Sequence, residues 1–175
     1  MACNSLVALP RSCGSEGVVG GLEKLYMISY SDLSGQTPYT ATSGGVISNI
    51  SLVSGKKYVE VGLLKSTAGI KEVMTKNPQD GTLYFTQSLT VVIADVNATN
   101  KAWVESVQNQ PVSVLVKSRT GKYFVLGLNG QLEMNSLEGG LGTAESDLVG
   151  YTIGFEGVST KLIPIVDDTL IASLI

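Results

Sequence analysis

The chain has 175 residues, of which 15% are charged, with a net charge of −3 and no histidine. That length suits one good hydrophobic core rather than two, and the mild acidity excludes a protein that grips nucleic acid through clustered Lys and Arg on phosphates. A soluble domain usually carries about 25% charged residues, so a chain at 15% with positive mean hydropathy is expected to have much of its surface covered, foremost by another copy of itself.

The N-terminal arm, residues 1–22, is rich in small residues from Cys13 to Gly21 and carries the apolar run Ser5 to Leu9. Arg11 follows that run instead of preceding it, the reverse of a secretory signal, so a cytoplasmic origin is expected. A β-rich domain over 23–159 comes next. Lys24 to Tyr30 (KLYMISY) is aromatic and β-branched enough to prefer a strand. Ser31 to Gly45 is turn-rich. Val46 to Leu52 and Lys56 to Lys65 read as a hairpin across Ser54-Gly55, with Tyr58, Glu60, Gly62 and Leu64 on one face and Val59, Val61 and Leu63 on the other. Ser66 to Gly81, broken by Gly69, Asn77 and Pro78, reads as a long loop, and loops of that length tend to be functional or ordered by a partner.

Thr82 to Asp95 is a long strand in which Leu83, Phe85, Leu89, Val91 and Ile93 alternate with Tyr84, Thr86, Ser88 and Thr90. One helix is expected, capped by Asn97 or Thr99, running over about 99–109 with Trp103, Val104 and Val107 on one side, and ended by Pro111. Three antiparallel strands in a row follow, Val112 to Ser118, Tyr123 to Leu128 and Gln131 to Leu137, joined by turns at Thr120-Gly121 and Asn129-Gly130. Glu138 to Asp147 is a glycine-rich loop. Leu148 to Val158 is a strand with Tyr151, Ile153 and Phe155 on one face, and 160–175 is an apolar C-terminal segment. The fold class expected from this order is α+β and mainly β: an antiparallel β-sandwich or partly open barrel with one flanking helix, a long loop and extended terminal arms.

Little in the chain points to chemistry. Without histidine there is no Ser/His/Asp or Cys/His arrangement and no imidazole ligand, and Cys3 and Cys13 match no zinc spacing and read as free thiols. Carboxylate pairs such as Asp167 with Asp168, Glu138 with Glu145 and Asp147, or Glu60 facing Glu133 are more simply solvated turns and strand faces than acid and base. Gly139 to Gly142 precedes a strand and no phosphate-loop pattern occurs. Lys56, Lys57, Lys117, Arg119 and Lys122, the close basic groupings, read as strand ends and turns, and Trp103 reads as core. No enzyme activity, cofactor or metal is expected. The longest charge-free run, Leu33 to Gly55, is too polar for a spanning helix, so no membrane partner is expected.

What remains is apolar surface outside the regular strands. Leu6, Val7 and Leu9 in the arm, Ile70, Val73 and Met74 in the long loop, and Leu170, Ile171, Leu174 and Ile175 in the C-terminal segment are the candidate contacts between copies, because extended segments of this kind add strands or anchors to a neighbour. Head-to-tail contacts close into rings when the rotation fits.

The order of elements resembles the tail tube proteins of long-tailed bacteriophages. The likeness is carried by Lys56 to Lys65 with the 66–81 loop, the helix Thr99 to Asn109, and the block GLNGQLEMNSLEGGLGTAESDLVGYTIGFEG from Gly127 to Gly157. The N-terminus MACNSLVALPRSCGSEGVVGGLEKLYMISY is similar to small structural proteins from phages and prophages of Bacteroides-like gut bacteria. The resemblance implies hexameric rings stacked into a tube within the virion tail, assembled in the bacterial host cytoplasm beside other phage tail proteins, with DNA passing through transiently and without tight binding. It also implies that the 66–81 loop reaches an adjacent ring. Other readings are a capsid decoration or head-completion protein, and a small-molecule-binding β-barrel.

Overall fold

A computed structural model describes residues 19–35, 39–42, 45–129, 131–142 and 147–175. Leu6, Val7, Leu9, Cys3 and Cys13 lie outside the described residues. In chain order the elements are β1 (Leu22–Ser29), a short 3-10 turn (Tyr30–Asp32), β2 (Tyr39–Ala41), β3 (Val46–Ile50), β4 (Val59–Val61), β5 (Gly69–Asn77), β6 (Thr82–Ala94), α1 (Ala98–Val107), β7 (Val112–Ser118), β8 (Tyr123–Leu126), β9 (Glu133–Gly140), β10 (Gly150–Ser159), β11 (Ile165–Val166) and α2 (Asp168–Leu174). They form a seven-stranded sheet in the order β2-β3-β11-β8-β7-β1-β4 and a four-stranded sheet in the order β5-β6-β10-β9. The fold is α+β and mainly β, a sandwich and not a closed barrel. Among the described residues no helix is long and apolar enough to cross a membrane.

The uninterrupted apolar runs of β1 and β7 explain the layering, since a strand that buries both faces need not alternate. Leu25, Met27, Val114 and Val116 meet Leu89, Val91, Ile153 and Phe155 of the four-stranded sheet in a first core. Tyr26, Ile28 and Leu115 face the other way, into a second core with Ile47, Val166, Ile171 and Leu174. Tyr58 is buried in that second core. The Ser113 hydroxyl donates to the Leu126 carbonyl at 3.0 Å, so the Tyr58 phenol is the donor in its own 3.0 Å bond to Ser113 Oγ. Burial there pushes the Tyr58 phenol up to about 12.

Helix α1 forms where the sequence placed it. Asn97 is the cap, its side-chain oxygen accepting the Asn100 N–H at 2.8 Å, and Val104 and Val107 are buried with Trp103 packed beside them.

Five expectations are corrected. Residues 66–81 are not a loop, because Gly69–Asn77 form β5, paired with β6 from Gly69↔Thr90 to Asn77↔Thr82; only its inner end, at Ile70 and Glu72, is half-buried, so too short a stretch alternates to mark a strand. Val46 to Lys65 is not a hairpin. β3 pairs with β2 and β11 while β4 pairs with β1, and a turn between them (Lys56 N–H to Val53 O, 3.0 Å) precedes Tyr58, so Tyr58 and Val61 are buried while Val59 and Glu60 are exposed.

Only two of the three strands expected in a row after Pro111 share a sheet. β7 pairs with β8, whereas β9 crosses to β10, with a bridge between Val112 and Leu132 at the crossing. Gly127 permits that exit: its φ is +79°, and a Cβ there would sit 2.6 Å from the Val112 carbonyl oxygen. The glycines expected to break β9 instead extend it, since Gly139 lies under the Tyr151 ring where a Cβ would be 2.8 Å away. Finally, 160–175 is not a free apolar segment but β11 and a second helix, α2. Its N-cap Asp167 accepts from the Thr169 N–H at 3.0 Å and the Thr169 hydroxyl at 2.8 Å, which hold its carboxyl below the usual value.

Candidate self-association surface

Two of the acidic pairs singled out in the sequence are apart or engaged, and Glu145 of the third group lies outside the described residues. Asp167 is spent on capping α2. Glu60 lies on β4 in an ion pair with Lys24 at 3.3 Å, while Glu133 lies on β9 in the other sheet, opposite Glu156. Among the described residues no three potential metal ligands converge. Four of the five basic groups are engaged as well: Lys117 with Glu23 at 2.8 Å, Lys56 with Asp32 at 3.3 Å, Arg119 with Ser66 Oγ at 2.9 Å and Lys57 with the Ile175 carbonyl at 2.7 Å. The bond between Glu23 and Lys117 holds the first carboxyl below its usual value and the second ammonium above its own.

What the fold leaves open is the four-stranded sheet. Among the described residues its edge strands β5 and β9 have no backbone partner on their outer sides. Three antiparallel pairings separate them, so β5 and β9 run in opposite directions. Unprotected edges of this kind are templates for pairing with another chain.

At 13 residues β6 is about twice the usual strand, and its first residues, Thr82 to Tyr84, run with β5 past the end of β10. The side chains there are apolar and bare: Val73 is 43% exposed, Met74 59%, Leu83 47% and Tyr84 37%. At the β9–β10 end Leu141, Leu148 and Val149 are also exposed. The sheet face turned away from the core carries Val73, Tyr84 and Val158 toward the overhang and is polar over its other rows. Lys71, Ser88, Glu156 and Glu133 line one row across the four strands, with Thr90, Gly154 and Ser136 in the next and Thr152 beside Glu138 beyond.

Of the contact candidates read from the sequence, Val73 and Met74 stand on this surface, whereas Ile70 packs against the first core. The C-terminal candidates are placed differently. Ile171 and Leu174 are buried in the second core, and Leu170 and Ile175 pack against it. Leu83, Tyr84, Leu137, Leu141, Val158 and Leu162 are exposed apolar residues that sequence reasoning missed. The signal was the length of β6, because a strand longer than the sheet it joins must overhang.

No known protein family, curated protein or solved structure matches this chain.

Proposed function

We propose that the chain is a structural virion protein, a tail tube subunit that assembles into rings stacked as a DNA-conducting channel. The observation that carries this reading is the pair of open, oppositely directed edges on one four-stranded sheet. Rotation about a ring axis keeps each strand's sense along that axis, so β9 of one copy lies antiparallel to β5 of the next. The alternation is then unbroken around the ring, and neither edge of the four-stranded sheet is left exposed.

Dimensions favour the ring number that the resemblance implies. Four strands at about 4.8 Å spacing give about 19 Å of wall per copy. Six copies then give a backbone diameter of about 37 Å before strand tilt widens it, enough for a nucleic-acid duplex. The thicker side of the molecule, with the second core, faces outward, and the polar sheet face lines the channel. That face carries Glu133, Glu138 and Glu156 against Lys71, a balance that repels phosphates and lets DNA slide.

The test is negative-stain electron microscopy across a concentration series, with mass measured in solution. Rings with a central hole, alone or stacked, are the expected result. A monomer at every concentration overturns the reading and turns attention to a capsid surface as the partner.

A further inference from the structure

Where the two sheets part beside the start of β1, the first core comes to the surface. Leu22, Ala68, Ile70, Phe124 and Ile163, all half-buried, line an open groove of about 460 Å³ there, between β1 and β8 of the larger sheet and β5 of the smaller. One carboxylate stands among them. Glu72 lies two residues beyond Ile70 on the same face of β5, and its Oε1 accepts the Ile163 N–H at 2.9 Å. Among the described residues Glu72 has no ion-pair partner. A half-buried carboxylate in an apolar cleft favours a cation beside it, and the apolar lining favours a cation carried on an apolar chain.

We infer that the N-terminal arm of the same copy lies in this groove, with Leu9 against Ile70 and Phe124 and with Arg11 paired to Glu72. Position supports it first. The described chain enters at Val19, and Gly21, which lines the groove, accepts the Arg119 N–H at 3.2 Å, so the arm is tethered at the rim of the cleft. The nine residues between Arg11 and Gly21 can span up to about 30 Å, and a tether that short holds the arm at an effective concentration on the order of 1 mM. Chemistry matches next. Arg11 is the one cationic side chain in residues 1–18 and directly follows the run Leu6 to Pro10, so the arm carries its charge at the end of its apolar stretch. Spacing matches as well. Pro10 disfavours a helical backbone at Leu9, and along an extended chain Leu9 and Arg11 fall on one side, as Ile70 and Glu72 do on β5. An apolar side chain and a charge about 7 Å apart thus meet their complements at the same spacing. The groove framed by Val61, Leu63 and Trp103 offers no such charge, because its Glu60 is already paired with Lys24 at 3.3 Å. Seated in this way, the arm closes the first core of its own copy whether or not copies assemble.

The test is limited trypsin digestion of the full chain under reducing conditions, with cleavage of the Arg11–Ser12 bond followed by mass. A seated bond is cut only when the arm opens, so cleavage is expected to be slower than in a free peptide of residues 1–21 by about tenfold or more, at a rate independent of protein concentration. Glu72→Gln keeps an acceptor for the Ile163 N–H and removes only the charge, whereas Ala68→Phe fills the groove and leaves the charge. Each is expected to bring the rate to within about threefold of the peptide's. Lys71→Gln, on the opposite face of β5, is expected to leave it slow. A wild-type rate equal to the peptide's overturns the inference, and that comparison stands even if a variant fails to fold. Protection that survives both groove variants places the arm elsewhere and overturns the groove. Protection lost on dilution overturns seating in the same copy and gives the arm to the groove of a neighbour.

Discussion

The centre of the seven-stranded sheet and the outer half of the β5–β6 hairpin are built from the same kinds of residue and end in opposite places. Leu25, Tyr26, Met27 and Ile28 of β1 are all buried, because the four-stranded sheet covers one side and α2 with the β2–β3 excursion covers the other. Val73, Met74, Leu83 and Tyr84 are as apolar and lie bare, because no layer among the described residues covers them. The difference teaches that burial here is a property of layers and not of strands. It also separates two tasks: the doubly covered sheet holds the fold together, and the overhang offers contact.

The sharpest way to break that comparison is at the layer boundary. Phe155, 1% exposed in the first core, is expected to cost about 3–5 kcal/mol when replaced by Ala, read as a lowered urea midpoint with little change in slope. Next comes the second core. The unfolded Tyr58 phenol ionises near 10 and the folded one near 12, so its contribution is fully present below about pH 10 and is lost as pH rises to about 12. Tyr58→Phe is expected to cost about 1 kcal/mol at neutral pH through the lost hydrogen bond. It should also remove about 2–3 kcal/mol of the wild type's decline over that alkaline window, seen by comparing denaturation curves at pH 9 and pH 12. The smallest effect belongs to the overhang. Met74→Ser with Leu83→Ser is expected to shift stability by no more than about 0.5 kcal/mol while abolishing stacking in electron micrographs. A large loss of stability there would show that the hairpin belongs to the core after all.

Much of the fold was legible because local signals agreed with it: the Asn97 cap and Pro111 around α1, the β7–β8 turn at Thr120-Gly121, and the odd-numbered face of β6. Pairing partners were not legible. β3 and β4 are adjacent in sequence and read as a hairpin, yet β4 finds β1 and β3 finds β11, choices made by second-core residues far apart in the chain. β5 was missed because its alternation stops after Ile70 and Glu72, leaving an overhanging half with no period to read. The candidate surface was legible only at Val73 and Met74. Ile171 and Leu174 look just as available in the sequence, and only the layer they cap shows that they are used internally.

Strand β11 is two residues long, yet it joins β3, in parallel, to β8 in the middle of the larger sheet. Val46 therefore meets its strand partner Ile165 only after well over a hundred further residues have been made. On the ribosome, β2 and β3 must wait beside an unfilled gap, with Ile47 and Leu115 still open to solvent, until residues 165–174 emerge. Synthesis thus imposes a clock on this molecule: the larger sheet closes only once Ile165 and Val166 have been made.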